Sequence, residues 1–344
     1  MAIATLSIVV INYDGESVLP FSLESLKNVL YPVEKVILVD DGSVDNSLEV
    51  ARKTLPALDI VRMPRNTALP NLVRNTGLRR ISSDLAFLMD NDVIVEPDCI
   101  PKLIEVWRAH ADAAICSPRL VYADDRQRIY TDGQQLHYLF QTIARNRNGV
   151  ASLLEEVTAG TCGGGIMLID MAKARRIGFM DENLLFGWGD DGEFYHRMRL
   201  FGYECFHVPA AVCAHFAKER STQRAYAQLF NRWYLMLESY STRSLVLLAP
   251  ALVTFELCQG LFLSLKGAAR DYARALGGVL RRLPSILMRR RLAQRGRKVP
   301  DRLLFSSGDI YLSSNLVDSP LLTIGLRVIN AIFSGYWTVV RRFL

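Results

Sequence analysis

None of the six cysteines, at 99, 116, 162, 205, 213 and 258, forms a CxxC pair, and no His/Cys cluster has zinc-site spacing. That excludes a zinc ribbon or a thioredoxin-like redox centre, and the cysteines read as reduced, mostly buried thiols of a cytosolic protein. The opening segment MAIATLSIVVINYD has no basic leader and no small-residue cleavage site, so the sequence predicts a buried strand there and not a signal peptide. Aromatics are absent from the basic stretch Arg281 to Lys298, which holds eight Arg/Lys and no Asp/Glu. Without interleaved aromatics, nucleic-acid binding is not expected of it.

What the chain does have is core: half of its 344 residues are hydrophobic and 22% are charged, which excludes disorder. The length exceeds one average domain, so a large α/β domain with an appendage is expected. The net charge of +6 is unevenly spread: carboxylates concentrate between Asp40 and Asp98, and the basic run lies far downstream. This asymmetry points to an acidic, metal-using site in the first part and contact with an anionic surface in the second.

Leu6–Ile11, Val36–Val39, Ile60–Val61 and Leu85–Met89 are short apolar runs separated by segments of helical spacing, about Ser17–Leu30, Val44–Thr54, Pro70–Arg80 and Pro97–His110. The alternation predicts a mostly parallel, Rossmann-like sheet with helices on both faces. Ser43 to Asn46 supplies N-cap chemistry for the second helix, and Pro97 or Pro101 suits the first turn of the fourth. Ligands in such sheets bind beyond the carboxyl ends of the strands. Those ends carry Asn12-Tyr13-Asp14-Gly15, Asp40-Asp41-Gly42-Ser43 and Asp90-Asn91-Asp92. An Asp after a strand is also an ordinary turn or cap residue.

Arg119 to Thr158 reads as a polar, irregular insertion of the kind that serves as a functional flap. Gly163-Gly164-Gly165 precedes the apolar run Ile166–Ile169; glycines there either admit close backbone approach to a ligand or mark a bulged strand start. Leu185 to Glu193 places Gly187-Trp188-Gly189 before Asp190-Asp191 and a helix over Phe194–Phe201, and a simple acidic helix cap does not need that Gly-Trp-Gly. The segments 119–158 and 163–188, with Gly164, Gly165, Trp188 and Gly189, are expected to contact an acceptor. Asp90 and Asp92 form a D-x-D; in extended backbone residues i and i+2 point the same way, so both carboxylates reach one divalent ion on a diphosphate. Asp191, with Asp190 as the alternative, is the candidate base for a hydroxyl proton. His215, after an expected strand Glu204–Val208, is either a third metal ligand or a structural histidine.

Together these residues resemble glycosyltransferase family two, the inverting enzymes of the GT-A fold. Ser7 to Gly15 is similar to that family's first strand and nucleotide loop, Val39 to Asp45 to its second, and Arg74-Asn75-Thr76-Gly77-Leu78 to the segment before the metal strand. The resemblance implies donor contacts at Asn12, Tyr13, Asp14, Asp41, Arg74, Asp90 and Asn91, with Asp14 and Asp41 at the nucleotide. It implies Mn²⁺ or Mg²⁺ at Asp92, Asp90 and His215. Asp190-Asp191 stands where the family has Glu-Asp, which makes Asp191 the implied base. A sugar-phosphate nucleotidyltransferase is disfavoured, since Asn12 to Gly15 is not a Gly-rich loop bearing Arg or Lys. An inactive scaffold or a nucleotide-sugar-binding protein is the alternative, against which the complete Asp41, Asp92 and Asp191 positions speak.

Residues 1–220 are thus expected to form the GT-A catalytic domain and 221–344 a mostly helical, basic and amphipathic extension. From Asn231 to Val299 the sequence resembles the tail of bacterial rhamnosyltransferase-like members, which implies a nucleotide diphosphate sugar donor, with rhamnose favoured, and a lipid-linked or growing glycan acceptor. Leu245–Leu265 is apolar, but Pro250, Glu256 and Gln259 interrupt it, and an acidic residue in mid-membrane costs on the order of 2.5–3.5 kcal/mol. It is expected to lie on the bilayer or to pack on the catalytic domain. Leu322, Ile329, Phe333, Tyr336, Val340 and Phe343 share one helical face, opposite Arg327, Asn330, Ser334, Thr338 and Arg341. With the arginine run, this predicts a peripheral protein on the cytoplasmic face of the inner membrane; the alternative is a helix that packs in a homo-oligomer or within the chain itself.

Overall fold

The computed structural model describes residues 3–152, 156–160, 163–217, 225–310 and 320–344; Cys162 and the side chain of Leu322 lie outside this description. The chain clusters into two units, one holding the described residues up to 133, 145–199 and 203–217, the other 134–144, 200–202 and those from 225 onward.

In chain order the first unit begins with β1 (Leu6–Asn12), α1 (Leu19–Leu26), β2 (Lys35–Asp40), α2 (Ser47–Thr54), β3 (Asp59–Arg62) and α3 (Pro70–Leu78). It continues with β4 (Leu85–Asp90), β5 (Val93–Val95), α4 (Cys99–Ala109), β6 (Ala113–Tyr122) and β7 (Ile129–Thr131). The hairpin β8 (Gln134–Leu136) and β9 (Thr142–Ala144) belongs to the second unit. The first unit then resumes with β10 (Thr158–Ala159), β11 (Met167–Asp170), α5 (Met171–Ile177), α6 (Gly192–Leu200) and β12 (Glu204–His215).

The large sheet runs β10-β12-β6-β11-β4-β1-β2-β3, with β5 on β12 and β7 on β6. Strands β3, β2, β1 and β4 are mutually parallel, whereas β11 runs against both its neighbours. Leu6, Ile8 and Val10 of β1 share a core with Leu19 and Leu23 of α1 and Ile100 and Leu103 of α4. On the opposite face α3 lies against Val9 and Val39, so close that a Cβ on Gly77 would stand 2.5 Å from Val9 Cγ1. A helical glycine costs about 1 kcal/mol relative to alanine. Here it seats the helix on the sheet.

Two local readings need correction. Helix α2 starts at Ser47, not Val44, and Asn46 makes no side-chain cap; the carboxylate of Asp45 takes the Ser47 N–H instead (3.1 Å). Segment 119–158 is not irregular throughout: β6 continues to Tyr122, and β7 to β9 follow. Within it Arg119 is buried, because Asp132 neutralises it (Nε–Oδ1 2.7 Å, Nη2–Oδ2 3.0 Å) and is itself bonded by His207 (2.9 Å). Burial penalises the Asp132 charge, but His207, Arg119 and Asn146 outweigh it and hold the carboxyl well below its usual range.

In the second unit α7 (Ala225–Ser239), α8 (Thr242–Leu265), α9 (Ala269–Gly296), the short α10 (Asp301–Leu304) and α11 (Pro320–Val340) gather around the hairpin. Between β8 and β9, Tyr138, Leu139 and Phe140 are buried. Tyr138 stacks on Trp337 (4.9 Å) and donates to the carbonyl of Phe333 (2.9 Å). Buried Arg232 donates to the carbonyl of Leu139 (3.0 and 2.9 Å) and pairs with Glu256.

The basic run is only partly a surface. Arg290 donates to the carbonyls of Leu237 and Tyr240, Arg297 pairs with Asp301, and Arg289 with Glu238. Helix α11 turns the predicted apolar side inward, with Phe333 buried and Ile329, Tyr336 and Val340 half-buried, and departs from the prediction at Asn330. Asn330 is buried, its side chain accepting from Ile310 N (3.3 Å), beside buried Phe333 and Trp337; Ile324, Val328, Ile332 and Val339 point outward. The segment is apolar on both sides, so spacing alone does not say which face turns inward.

Candidate active site

Register explains why distant residues meet. Asn12 stands opposite Asp40 across β1 and β2, and Ile11 opposite Asp90 across β1 and β4, so the three predicted loops leave one carboxyl edge of the sheet. The Asn12 amide, 2% exposed, donates to Asp40 (2.9 Å), Ser43 (3.1 Å) and Ser47 (3.2 Å), and its oxygen accepts from Asn91 (2.7 Å). The side chains of Asn12 and Asn91, both expected at the donor, tie the loops after β1, β2 and β4 together. Asp14 has φ +45° and caps Val44 N (2.9 Å). Tyr13 is 47% exposed. Asp41 is buried and accepts from Thr67 N (3.0 Å), and burial raises its pKa despite that bond.

His215 reaches Asp92 through the sheet. It lies opposite Val93 where β12 pairs with β5, leaving its Nε2 3.5 Å from Asp92 Oδ1, and its ring stacks on Tyr130 (4.6 Å). The strand carrying it runs to residue 215, not 208, passing an irregularity between Val208 and Val212.

Helix α3 supplies the centre of the site. Asn71, Arg74 and Asn75 lie on one helical side. Asn71 donates to the carbonyls of Asp181 (2.9 Å) and Asp190 (2.7 Å), and Asn75 to the carbonyl of Met180 (2.9 Å). Arg74, 3% exposed, pairs with Asp190 (Nη1–Oδ2 2.8 Å) and faces Asp90 (Nη2–Oδ1 3.8 Å). Burial works against its charge, and Asp190, Asp90 and Asp191 overcome that and raise its pKa. Gly165 sits against this group: a Cβ there would be 2.9 Å from Arg74 Nη2 and 3.1 Å from Asp90 Oδ2. Gly164 is linked through its carbonyl to the Tyr195 hydroxyl (3.3 Å). Trp188 is half-buried, and Gly189 has φ +76°.

Burial first, and then the neighbouring Asp190 charge, raise the Asp191 carboxyl to about 6 against the pull of Arg74. Asp190 is bound up in its ion pair, so Asp191 is the better placed proton acceptor near neutral pH. Asp90 is also raised, by burial and by Asp92, and its Oδ1 is buried without a hydrogen-bond partner. That oxygen, 3.8 Å from Arg74 Nη2, and the Asp92–His215 pair are the groups that could supply ligands to a divalent cation. Among the described residues no three His, Cys, Asp or Glu already stand at ligand spacing. Asn71, Asn75, Thr67 and Tyr130 escaped sequence reading because their partners lie far away in sequence; only the polar i, i+4 pair Asn71 and Asn75 beside Arg74 hinted at a clamp.

The same architecture occurs in solved structures. TarS 1-349 from S. aureus, solved with UDP-GlcNAc, superposes with a TM-score of 0.56 at 15% identity, covering 96% of this chain and 89% of that one. A mannosyltransferase from Pyrobaculum calidifontis, solved with GDP-Man and Mn²⁺, gives 0.52 at 16% identity over 96% and 87%. The fold is therefore GT-A with a C-terminal helical part. By sequence, residues 7–177 match the profile of Glycosyl transferase family 2. Chondroitin synthase from Escherichia coli is 27% identical over 250 residues, which are 64% of this chain and 36% of that protein. This chain thus spans about a third of that relative's length.

Proposed function

We propose that the protein is an inverting, metal-dependent glycosyltransferase that moves a sugar from a nucleotide diphosphate sugar to a hydroxyl of a lipid-linked or growing glycan in surface polysaccharide synthesis. The observation that carries this reading is the Arg74 bridge, which joins Asp90 of the D-x-D to Asp190, the neighbour of Asp191. Asp41 and Asp14 border the nucleotide end, and Asp90, Asp92 and His215 would hold Mn²⁺ or Mg²⁺. When bound, the ion supplies positive charge to the departing diphosphate. Asp191 takes the proton of the acceptor hydroxyl as it attacks the anomeric carbon from the face opposite the leaving group. Gly164, Gly165, Trp188 and Gly189 border the acceptor. The Mn²⁺ and nucleotide sugars bound by the structural neighbours support the class of donor and ion. The tail resemblance favours rhamnose as the sugar and a site at the cytoplasmic face of the inner membrane.

Calorimetric titration with UDP, dTDP and GDP, each with Mn²⁺, Mg²⁺ or EDTA, tests the donor site. Metal-dependent binding of one nucleotide is expected. Binding of none would refute the donor site and favour an inactive scaffold.

A further inference from the structure

On α8, Val246, Val253, Leu257, Leu261 and Leu265 are 57–78% exposed, and they recur at steps of seven and four residues along one side of the helix. Pro250 and Cys258 add to the same exposed surface, and the charged residue between Arg243 and Lys266, half-buried Glu256, is paired with Arg232. On α11, Ile324, Val328, Ile332 and Val339 are 53–63% exposed, and Arg341 and Arg342 close that stripe. The two helices are packed together: the Tyr336 hydroxyl donates to the Leu247 carbonyl (2.5 Å), and Phe255 meets Phe333 (6.1 Å). Just past the end of α11, exposed Phe343 lines one groove with Thr242, Arg243, Val246 and Leu247 of α8, so the two exposed surfaces adjoin there.

We propose that this joined apolar face of α8 and α11 docks in the plane of an anionic bilayer, with the basic residues at its margins against the lipid headgroups. Charge decides the occupant: the apolar stripes end in Arg243, Lys266, Arg341 and Arg342, all exposed, and the face carries no carboxylate to repel an anionic surface. Length does not settle the mode, since Val246 to Leu265 rises about 29 Å, close to the thickness of a hydrocarbon core. The inward side does. Glu256 pairs there with Arg232, which is 2% exposed and holds the Leu139 carbonyl, so a spanning α8 would carry a carboxylate into lipid and strand a buried cation. The helix keeps its inner face on the protein and offers the outer one. The lipid-facing residues of α11 are therefore Ile324, Val328, Ile332 and Val339, while Phe333 and Asn330 face inward.

This inference deepens the membrane placement proposed above, but its readout is vesicle binding, so a failed nucleotide titration leaves it standing. The full chain would be floated with vesicles containing phosphatidylglycerol, with phosphatidylcholine vesicles, and with the former in high salt. Flotation with the anionic vesicles is expected, reduced about tenfold or more by salt or by Arg243→Glu with Lys266→Glu. Leu257→Glu with Leu261→Glu on α8, and Ile332→Glu on α11, should each abolish it; all three positions are exposed, and circular dichroism would verify that the variants fold. Failure of the wild-type chain to float, or undiminished flotation of the glutamate variants, would overturn the proposal. Resistance to alkaline carbonate would overturn in-plane docking in favour of a spanning α8. A dimer by light scattering, lost in the same variants and without vesicle binding, would make the face a self-interface instead.

Discussion

Replacing Arg74 with methionine keeps the unbranched apolar stem and removes the guanidinium that faces Asp190, Asp90 and Asp191 together. Two effects follow. Asp190 loses its 2.8 Å partner while it stays buried, and breaking a buried pair costs about 3–5 kcal/mol. Asp191 loses the charge that restrains its pKa, and an opposite charge at this range is worth about 1–3 pKa units. From its value of about 6, the Asp191 midpoint should climb accordingly. With a pKa near 6 about nine-tenths of the base is ionised at pH 7, and with a rise of about 2 units only about a tenth remains. The sign is that of a group needed as its anion: transfer rises with pH through the pKa, so the acidic limb of kcat/KM should move toward higher pH in the variant. The assay is kcat/KM for transfer between pH 5 and 9, beside a urea unfolding curve. Arg74→Lys should restore part of the limb's position. A limb that stays near 6 in an unfolding-competent Met variant would refute the argument that Arg74 sets the charge state of Asp191.

Asp191→Asn should abolish transfer and leave metal-dependent nucleotide binding nearly intact, whereas Asp92→Ala should weaken that binding; equal loss of binding in both, by calorimetry, would refute the division of roles. Gly165→Ala places a methyl 2.9 Å from Arg74 Nη2 and should lower kcat more than it lowers the melting temperature, since the atoms that must shift are site atoms. Asp132→Asn should cost about 3–5 kcal/mol in urea unfolding at pH 7, because Arg119 and His207 lose a buried carboxylate. The folded-state pKa of Asp132 is depressed, so its contribution is present above about pH 4 and is lost as pH falls further. The variant's stability should accordingly change less than the wild type's below that pH.

Much of the first unit could be read in advance, because its signals are local. The strand runs at 6–11, 36–39 and 85–89 are continuous, and each ends in a carboxylate or amide that breaks the pattern, which put Asn12, Asp40 and Asp90 at one edge. Partnerships were harder. Nothing near Asp132 says that it neutralises Arg119 and binds His207, so a stretch read as a flap holds a buried ion pair. Asn12 matched a family position by type, yet its chemistry is spent on the neighbouring loops. On α11 the spacing picked out the apolar side that carries Phe333, but not that it packs against Tyr138 and Phe255 within the chain, nor that Asn330 is buried beside it.

The hairpin between residues 134 and 144 has a consequence for synthesis on the ribosome. Leu139 bonds Arg232, 93 residues later, and Tyr138 bonds the backbone at Phe333, 195 residues later. At about 5–20 residues per second, the ribosome needs about 10–40 s after Tyr138 to deliver the strand of chain that covers it. Through that interval Tyr138, Leu139 and Phe140 hang from a nascent polypeptide without their final neighbours, a natural station for a holding chaperone. Ending translation at residue 220 would make that exposure permanent, so the first unit expressed that way should precipitate even with every residue of its sheet in place.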